Sequence, residues 1–283
     1  MPIRRTSNKS SQDTGYYNPE VYSDVGSRIV NDEDVVTYIS AVEAQDGQSL
    51  EAGVKTAYSN FILGCKADGI WSSIKSSCIL GGARTISGAL VPLVGLAPTN
   101  IGFIPGDYDR KLGITGDKSS YLNTNYSGRL ATSQHLVVQK TSNNTSNGTY
   151  SQLAGVIDAF NGAWSFLRSQ SAAAGGRLEY GISPGAGLFT NTQSVSSFVG
   201  QVQSGTSFTA TQSAGNEVDT ATQTPTVPSG VHPVYIFADN NVGTVRFQSD
   251  FRIFFYSIGE SVDLAKFQAR VSGLLVQISG AIA

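Results

Sequence analysis

The residues best suited to bind a metal ion are three aspartates in a glycine-rich stretch of the sequence. Asp107 and Asp109 stand two residues apart, and Asp117 follows after a further eight. Calcium prefers about six to eight oxygen ligands, largely carboxylates and carbonyls of a loop. An EF-hand is excluded because Lys111 stands where Asp or Asn belongs, and Gly113 comes one position late. The spacing predicts a calcium site at these aspartates, with three separate turn-capping residues as the alternative.

A second group of carboxylates has the composition of a glycosidase site. Glu179 could pair with Asp158 or Asp250. Cleavage of a glycosidic bond needs two carboxyl groups about 5–10 Å apart in a groove that binds sugar. The aromatic residues that could line such a groove are Trp164, Tyr180 and Phe189. Sandwich cores contain these aromatic residues as well, so we favour solvated charges on strand faces over a catalytic pair.

The histidines and cysteines form no recognisable catalytic pattern. His135 and His232 are the only histidines, and no Cys/His/Asp spacing matches a zinc site. The sequence contains no Gly-x-Ser-x-Gly elbow and no glycine-rich phosphate loop before a helix. Cys65 and Cys78, both on predicted helices, are expected to be buried free thiols. We therefore expect no enzymatic activity, no catalytic residue and no cofactor other than calcium.

The composition is that of a polar but weakly charged β protein. Charged residues make up 14% of the chain, against about 25% in an average globular protein. The net charge of −2, without any Lys/Arg run, argues against a nucleic-acid partner. The longest apolar stretch, residues 89–97, is interrupted by Pro92 and is too short to cross a membrane. No apolar signal segment follows the basic start of the chain, so we expect assembly in the cytoplasm.

Residues 1–30 form a predicted extended arm. The segment is polar and shows neither a helical nor a strand period. It cannot bury enough apolar area to become ordered alone, so it either docks on a partner or remains a loose terminus. The residues expected to anchor it to a partner are Arg4, Arg5, Tyr16, Tyr17 and Tyr22.

Residues 31–80 are predicted to form a small helical region. Asn31 or Asp32 can cap a first helix, and a second helix is predicted over residues 50–66. The spacing of apolar residues predicts a short third helix over residues 70–78. Trp71 lies in that helix, where packing explains it better than a stacking platform for sugar does.

Residues 81–283 are predicted to form a β-sandwich closed by a helix. Clusters of Gly, Asn, Ser and Pro separate short runs of apolar residues in this part of the chain. The predicted strands are residues 85–91, 120–125, 134–140, 149–157, 163–169, 177–182, 187–192, 196–202, 234–238 and 244–256. Residues 239–243 have the composition of a hairpin turn. Residues 205–230 suggest a long surface loop or a ragged hairpin that a partner could contact.

The most strand-like run, residues 244–256, is followed by an amphipathic helix. Its apolar residues first alternate and then become continuous, which predicts a strand with both faces covered toward its end. Ser257 and Gly259 should break the strand, and Ser257 or Ser261 should cap a helix over residues 260–281. The apolar stripe of this helix comprises Leu264, Phe267, Val271, Leu274 and Ile278. The stripe either packs within the chain, which we favour, or meets copies of itself around a threefold axis.

Several short motifs resemble those of known proteins. Residues 112–122 (LGITGDKSSYL) and 254–260 (FFYSIGE) are similar to the opening and the close of laminin-G-like, concanavalin-A-like jelly rolls. Residues 64–71 (GCKADGIW), 82–85 (GART), 106–110 (GDYDR) and 256–260 (YSIGE) resemble a pattern in proteins of tailed bacteriophages. The resemblance covers residues 31–283 and implies a component of a phage virion, with the arm as its point of attachment.

The predicted fold class is mainly β: a jelly-roll β-sandwich preceded by a small α-helical region and closed by a C-terminal helix. We expect a non-enzymatic virion structural protein, either a capsid decoration (cement) protein or a tail or fibre component. Its partners would be other virion proteins and further copies of itself, with a trimer favoured. The first alternative is a glycan-binding receptor-recognition tip that presents residues 107–117 and 205–230 to host sugar. The second alternative is a polysaccharide depolymerase.

Overall fold

The computed structural model of this chain describes residues 32–128, 132–142, 150–159, 163–170, 178–182, 197–212, 217–222 and 232–283. The predicted arm, with Arg4, Arg5, Tyr16, Tyr17 and Tyr22, lies outside the described residues, as does the strand predicted over residues 187–192. The backbones of Asp158, Trp164 and Glu179 are described, but their side chains are not.

Two long helices precede most of the strands, and a third closes the chain. The helices are α1 (Glu33–Asp46), α2 (Ala52–Ala67), the single turn α3 (Ile86–Ala89) and α4 (Leu264–Ala281). Asp32 is the residue that caps α1, because its carboxylate accepts a hydrogen bond from the amide of Val35. The first two helices and the last are therefore where the sequence predicts them.

The third helix predicted over residues 70–78 is wrong. Trp71–Ser73 form a single 3₁₀ turn, and Ile74–Ile79 form the strand β1. Periodicity alone cannot assign a short apolar run to helix or strand. Here pairing decides, because β1 lies antiparallel to residues 255–259 near the end of the chain. Cys78 accordingly lies on a strand.

Residues 85–91, predicted as a strand, instead contain the helical turn α3. The hydroxyl of Thr85 accepts a hydrogen bond from the amide of Gly88 at 3.0 Å. The carboxylate of Asp46 also binds the amides of Arg84 and Thr85 just before the turn. Side-chain acceptors that satisfy the first amides of a helical turn favour it over an extended strand.

The strands form two sheets. Sheet A contains β1, β2 (Pro92–Val94), β4 (Tyr108–Asp109), β5 (Gly113–Thr115), β7 (Ser133–Lys140), β11 (Ser197–Ser204), β12 (Ser207–Gln212), β13 (Glu217–Thr222) and β17 (Arg252–Gly259). Sheet B contains β3 (Thr99–Ile101), β6 (Tyr121–Asn123), β8 (Tyr150–Ala159), β9 (Ala163–Gln170), β10 (Leu178–Ile182), β14 (Tyr235–Ile236), β15 (Asp239–Asn241) and β16 (Thr244–Arg246). The main order is β13-β12-β11-β7-β17-β1-β2 in sheet A and β10-β9-β8-β14-β6-β3 in sheet B.

Two hydrophobic cores divide the molecule into three layers. One core lies between the sheets and includes Leu122 of sheet B and Leu136 of sheet A. The other lies between the outer face of sheet A and the helices, and includes Phe61 of α2 and Phe255 of β17. The predicted fold class is confirmed: a mainly β, jelly-roll-type sandwich, preceded by helices and closed by a C-terminal helix.

The run predicted as one strand over residues 244–256 divides between the two sheets. β16 ends at Arg246 in sheet B, and β17 begins at Arg252 in sheet A. Phe247 has a φ of 54°, outside the β region, so the chain leaves sheet B there. The predicted break at Ser257 is also wrong, because β17 continues to Gly259. A Cβ at Gly259 would lie 2.0 Å from the carbonyl oxygen of Ser73, so glycine permits this close approach.

Strand β17 is buried on both faces, as its continuous apolar run predicts. Ile253 and Tyr256 belong to the core between the sheets. Phe254 and Phe255 belong to the core beneath the helices. The strand is therefore the element that all three layers share.

Helix α4 packs against α2 and sheet A of its own chain. Every residue of its predicted stripe is buried in the core beneath the helices, namely Leu264, Phe267, Val271, Leu274 and Ile278. Packing within the chain is confirmed, and the stripe is not free for a threefold contact. Asp263 caps α4 by accepting from the amides of residues 265 and 266, so the predicted caps Ser257 and Ser261 are wrong. None of the described helices has the length and apolarity needed to cross a membrane.

Two predicted turn regions are hairpins. Asp239–Asn241 pairs antiparallel with Thr244–Arg246, which confirms the turn between them. Within residues 205–230, β12 and β13 pair antiparallel, so this part is a hairpin in sheet A rather than a loop. Residues 213–216 and 223–231 lie outside the described residues.

A buried glutamine joins the two sheets. The carboxamide oxygen of Gln201 on β11 accepts from the amide of Gly181 on β10 at 3.0 Å. Its nitrogen donates to the carbonyl of Gly181 at 3.1 Å and to the hydroxyl of Ser165 at 3.0 Å. Buried polar groups are costly unless paired, so this residue fixes the alignment of one sheet over the other.

Replacing Phe267 by alanine should reduce the free energy of unfolding by about 3–5 kcal/mol, because the ring is buried against Phe198 and Phe255. The matched control is Val276→Ala on the exposed side of the same helix, which should change it by less than about 0.5 kcal/mol. Urea unfolding followed by circular dichroism measures both values. Equal effects would contradict the internal packing of the stripe.

Candidate functional site

The three aspartates predicted as a calcium site each serve their own turn. Asp107 accepts a hydrogen bond from the amide of Ile104 at 2.8 Å. Asp109 and Asp117 each accept from the amides two and three residues later, at 2.7 to 3.0 Å. In the part of the chain that the structure describes, no three His, Cys, Asp or Glu side chains converge as metal ligands. The calcium prediction is wrong, and turn capping explains all three residues.

One of the two predicted partners of Glu179, Asp250, forms an ion pair with a lysine. Its Oδ2 lies 3.4 Å from Nζ of Lys118 in an ion pair. Glu179 lies on β10 and Asp158 on β8, the two strands that flank β9 in sheet B. Tyr180 is buried between the sheets rather than lining a groove. The pairing of Glu179 with Asp158 or with Asp250 stays a prediction.

His135 is a buried residue of β7 beneath α4. Its Nδ1 donates to the carbonyl of Glu260, and its Nε2 accepts from the hydroxyl of Ser257 at 2.8 Å. A serine beside a histidine has the composition of a nucleophile with its base. Both side chains are no more than 1% exposed, so no substrate reaches them. Burial lowers the pKa of His135 to about 4.

Both cysteines are buried free thiols, as predicted. Cys65 lies on α2 and Cys78 on β1, where the hydroxyl of Tyr256 donates to its sulfur at 3.4 Å. Burial raises the pKa of each thiol to about 12. The thiolate is the reactive form of cysteine, so neither residue is a candidate nucleophile.

The motif at residues 82–85 belongs to a loop held by several side chains, residues 81–85, which we call the glycine loop. Asp46, the last residue of α1, accepts from the amides at positions 84 and 85 at 2.6 and 2.8 Å. Tyr58 of α2 donates to the carbonyl at position 81 at 2.7 Å. Tyr108 of β4 donates to the carbonyl at position 83 at 2.8 Å. The loop therefore joins the helices to sheet A.

Arg110, in the motif at residues 106–110, reinforces the same joint. Its guanidinium binds both oxygens of Glu51, at 3.0 and 2.7 Å, and also donates to two carbonyls of the glycine loop. This hydrogen-bonded pair lowers the pKa of Glu51 to about 2. Arg84 lies 3.1 Å from the same carboxylate. Planar two-point pairing of arginine with a carboxylate adds directional specificity, which explains the motif as a structural element.

The motif at residues 64–71 fixes α4 to α2. Arg270 of α4 donates to both oxygens of Asp68, at 2.7 and 3.1 Å. A Cβ at Gly64 would lie 2.7 Å from this guanidinium, so glycine makes room for it. Nζ of Lys66 lies 5.7 Å from the centre of the Trp71 ring. Trp71 packs against the core beneath the helices, in agreement with the packing interpretation.

A polar cluster on the outer face of sheet B, away from the helices, was missed by the sequence analysis. Gly155 lies between core residues of β8, so a side chain there would point outward. A Cβ at Gly155 would lie 3.0 Å from Oδ1 of Asp239, which places this carboxylate on the outer face. Its Oδ2 accepts from Nη2 of Arg246 across the hairpin at 2.8 Å. Burial raises the pKa of Asp239.

Arg246 and Phe247 form the accessible edge of this cluster. The guanidinium of Arg246 lies over the ring of Phe247, 5.1 Å from its centre. The arginine side chain is 35% exposed, and Phe247 is 37% exposed. The carbonyl of Phe247 accepts from the amide of Gln152 at 3.0 Å, which anchors its unusual backbone to β8. A guanidinium beside an exposed ring can offer hydrogen bonds and a stacking surface to a polar ligand.

One signal in the sequence could have indicated this cluster. Asp239 begins the predicted hairpin turn and Arg246 lies in the strand-like run after it, and opposite charges directly across a hairpin pair favourably. The position of Phe247 carried no comparable signal, because an aromatic residue in an alternating run is expected to continue the strand.

Comparison with known proteins finds no match to any family model or to any curated protein. Parts of three solved sialidase structures are similar to the chain. A Trypanosoma rangeli sialidase is 10% identical with a TM-score of 0.48, covering 71% of this chain and 33% of that chain. The NanB sialidase of Streptococcus pneumoniae is 15% identical with a TM-score of 0.38, covering 55% and 26%. A leech intramolecular trans-sialidase is 12% identical with a TM-score of 0.36, covering 55% and 26%.

This chain spans about a third or less of the length of these sialidases. At such identities and TM-scores, their activity is not transferred to it.

The stability of the protein should fall as the pH is lowered from about 6.5 toward 5, because His135 stays neutral in the folded state. In this pH range the unfolded chain binds a proton at His135 that the folded chain does not bind. The free energy of unfolding therefore falls by about 1.4 kcal/mol for each pH unit. Urea unfolding at several pH values measures this slope.

The variant His135→Asn should flatten the slope, whereas His232→Asn should retain it. An unchanged slope in His135→Asn would show that another group controls the acid sensitivity.

Proposed function

We propose that this chain is a non-enzymatic structural protein of a bacteriophage virion, either a capsid decoration protein or a tail or fibre component. The single observation that supports this most is the role of the motifs that resemble phage proteins. Residues 64–71, 82–85 and 106–110 hold the helices to each other and to sheet A, and residues 256–260 form the end of β17 and the residue after it. These residues serve rigidity rather than chemistry, as expected of a structural module.

The placement of the first described residue supports attachment through the arm at residues 1–30. Asp32 binds Nζ of Lys66 at 2.7 Å, at the C-terminal end of α2. The arm is therefore joined to the body at the helix layer, and the outer face of sheet B lies on the opposite side. A point of attachment at the helix layer and the outer face of sheet B on the opposite side suit a protein that binds a particle and displays its sandwich.

Many copies of this protein bound to one particle would stabilise the particle. A protein that binds only the assembled state stabilises that state by mass action. A homo-oligomer, with a trimer favoured, remains part of the proposal. Because the α4 stripe is buried within the chain, contacts between copies would use other surfaces.

Deleting residues 1–30 should leave a folded, soluble protein that no longer joins particles. The cap of α1 at Asp32 and its bond to Lys66 are retained in the truncated chain. The measurement is co-sedimentation with particles that lack the protein, alongside the full-length chain and an Arg4→Ala/Arg5→Ala variant. Full occupancy by the truncated chain would rule out attachment through the arm.

A glycan-binding tip is the second candidate, and the Arg246–Phe247 edge favours it. The surface is partly exposed, lies on the face away from the helices and combines a ring with a guanidinium. The loops originally expected to bind sugar are less suitable. Tyr108, within residues 107–117, is engaged by the glycine loop, and residues 207–222 include β12 and β13.

If the protein binds host surface polysaccharide, Phe247→Ala should weaken binding about tenfold or more, since burying a phenylalanine side chain against a ligand is worth roughly 1.5–3 kcal/mol. Val276→Ala, on the opposite layer, should bind as wild type does. A glycan array with and without chelator measures both variants. Binding that is lost with chelator, or that survives Phe247→Ala, would exclude this surface, and no binding at all would exclude the candidate.

A further inference from the structure

The polar cluster on the outer face of sheet B contains three enclosed atoms that lack a hydrogen-bond partner. In the described part of the chain, no group pairs with Oδ1 of Asp239, Oε1 of Gln152 or Nε of Arg246. Asp239 and Gln152 are only 2% and 1% exposed. Buried polar groups in native proteins are nearly always paired, so three unpaired atoms in one cluster point to a ligand or to water that completes it.

The two unpaired oxygens belong to side chains that meet over Gly155 of β8. A Cβ at Gly155 would lie 2.2 Å from Nε2 of Gln152 and 3.0 Å from Oδ1 of Asp239. Both distances start from the same point, so the carboxamide and the carboxylate lie next to each other. Arg246 is the cross-strand partner of Asp239 and binds its other carboxylate oxygen. The three unpaired atoms therefore form one site.

The hydrogen-bonding capacity of these atoms selects the class of ligand. The oxygens of an ionised carboxylate and of a carboxamide accept hydrogen bonds, whereas the guanidinium nitrogen donates one. Adjacent hydroxyl groups of a sugar can donate to both oxygens and also accept from Arg246. A carboxylate or sulfate group would satisfy the arginine but leave both oxygens unpaired. This holds although a second arginine, Arg168, also acts electrostatically on Asp239.

Aromatic rings accompany the polar atoms on this face. Phe247, next to Arg246, is 37% exposed. Tyr235 pairs with Gly155 and points outward, because the neighbouring Ile236 belongs to the core between the sheets. The centre of its ring lies 4.7 Å from that of Tyr121. Apolar and aromatic surface with a few polar groups that fix orientation is the usual composition of a small-molecule site.

We propose that this site binds an uncharged sugar with adjacent hydroxyl groups, as in a hexose unit of a neutral polysaccharide. The hydroxyls donate to Oδ1 of Asp239 and Oε1 of Gln152, and one of them accepts from Nε of Arg246. Arg246 and Phe247 are the more exposed members of the cluster, and their side chains shift to admit the ligand. The inference rests on the glycan-binding candidate and adds the class of glycan that is bound.

An array of neutral and acidic polysaccharides tests the class of ligand on the full-length protein. Dextran and dextran sulfate are a matched pair, since they share a backbone and differ in charge. Mannan and galactomannan extend the neutral set, and alginate and polygalacturonate extend the acidic set. The protein should bind at least one neutral polysaccharide and none of the acidic ones. Added salt should change this binding little, because the ligand carries no charge to be screened.

Two variants locate the binding at the cluster. Asp239→Asn keeps the shape of the side chain but removes the charged acceptor, so it should weaken binding about tenfold or more. Gly155→Ala places a methyl group where Gln152 and Asp239 meet and should weaken binding at least as much. Its backbone is not left-handed, and the methyl meets the ends of side chains, so the fold can adjust.

The matched control is Gly273→Ala on α4, where the nearest atom to a Cβ is 3.9 Å away. It should bind as wild type does, and thermal unfolding verifies that all three variants are folded. Binding of acidic polysaccharides alone would overturn the inference but leave the glycan-binding candidate in place. Neutral binding that survives both Asp239→Asn and Gly155→Ala would assign the sugar to another surface. Failure to bind any of these polysaccharides would exclude the inference and the candidate together.

Discussion

Burial of β17 on both faces is the constraint on which the rest of the structure depends. The strand pairs with β7 on one side and with β1 and β5 on the other. Its aromatic residues supply the core between the sheets on one face and the core beneath the helices on the other. Apolar burial contributes about 25 cal/mol for each Å² removed from water. The apolar side chains on each face of this strand must be shielded from water, and the helix layer shields one face while sheet B shields the other.

The few charged residues are used largely for internal connections. Glu51 with Arg110 and Asp68 with Arg270 hold the helices to each other and to the glycine loop. Asp239 with Arg246 closes a hairpin at the opposite side of the molecule. The first two of these are partly buried, two-point pairs, which depend on geometry more than exposed ion pairs do.

Local sequence patterns predicted the helices and strands that bury one continuous stripe of apolar residues. Helices α1, α2 and α4 follow from apolar spacing, and most strands of residues 120–202 follow from alternation. Long-range contacts decided the rest. β1 is a strand because β17 lies beside it. The residues just before α3 are held by Asp46, far earlier in the chain, which binds the amides of Arg84 and Thr85. The bridge from Gln201 to Gly181 has no sequence signal, because it depends on the alignment of two sheets.

The candidate site was predicted less well, for the same reason. Asp107, Asp109 and Asp117 are close in sequence, yet each accepts hydrogen bonds from backbone amides of its own turn. Asp239 and Gly155 are distant in sequence and meet only because β15 lies beside β8. Spacing along the chain identifies oxygen ligands, but convergence in space requires the sheet register, which no local pattern contains.

The state of the two cysteines has a consequence for where the protein can work. With no cross-link to form and both sulfurs enclosed, the fold has the same covalent structure under reducing and oxidising conditions. Its stability comes from hydrophobic packing, hydrogen bonds and ion pairs, and neither a reducing agent such as glutathione nor oxygen changes these interactions. A protein built in this way can pass from the interior of a cell to the medium without a change of bonds, and it needs no oxidative folding machinery.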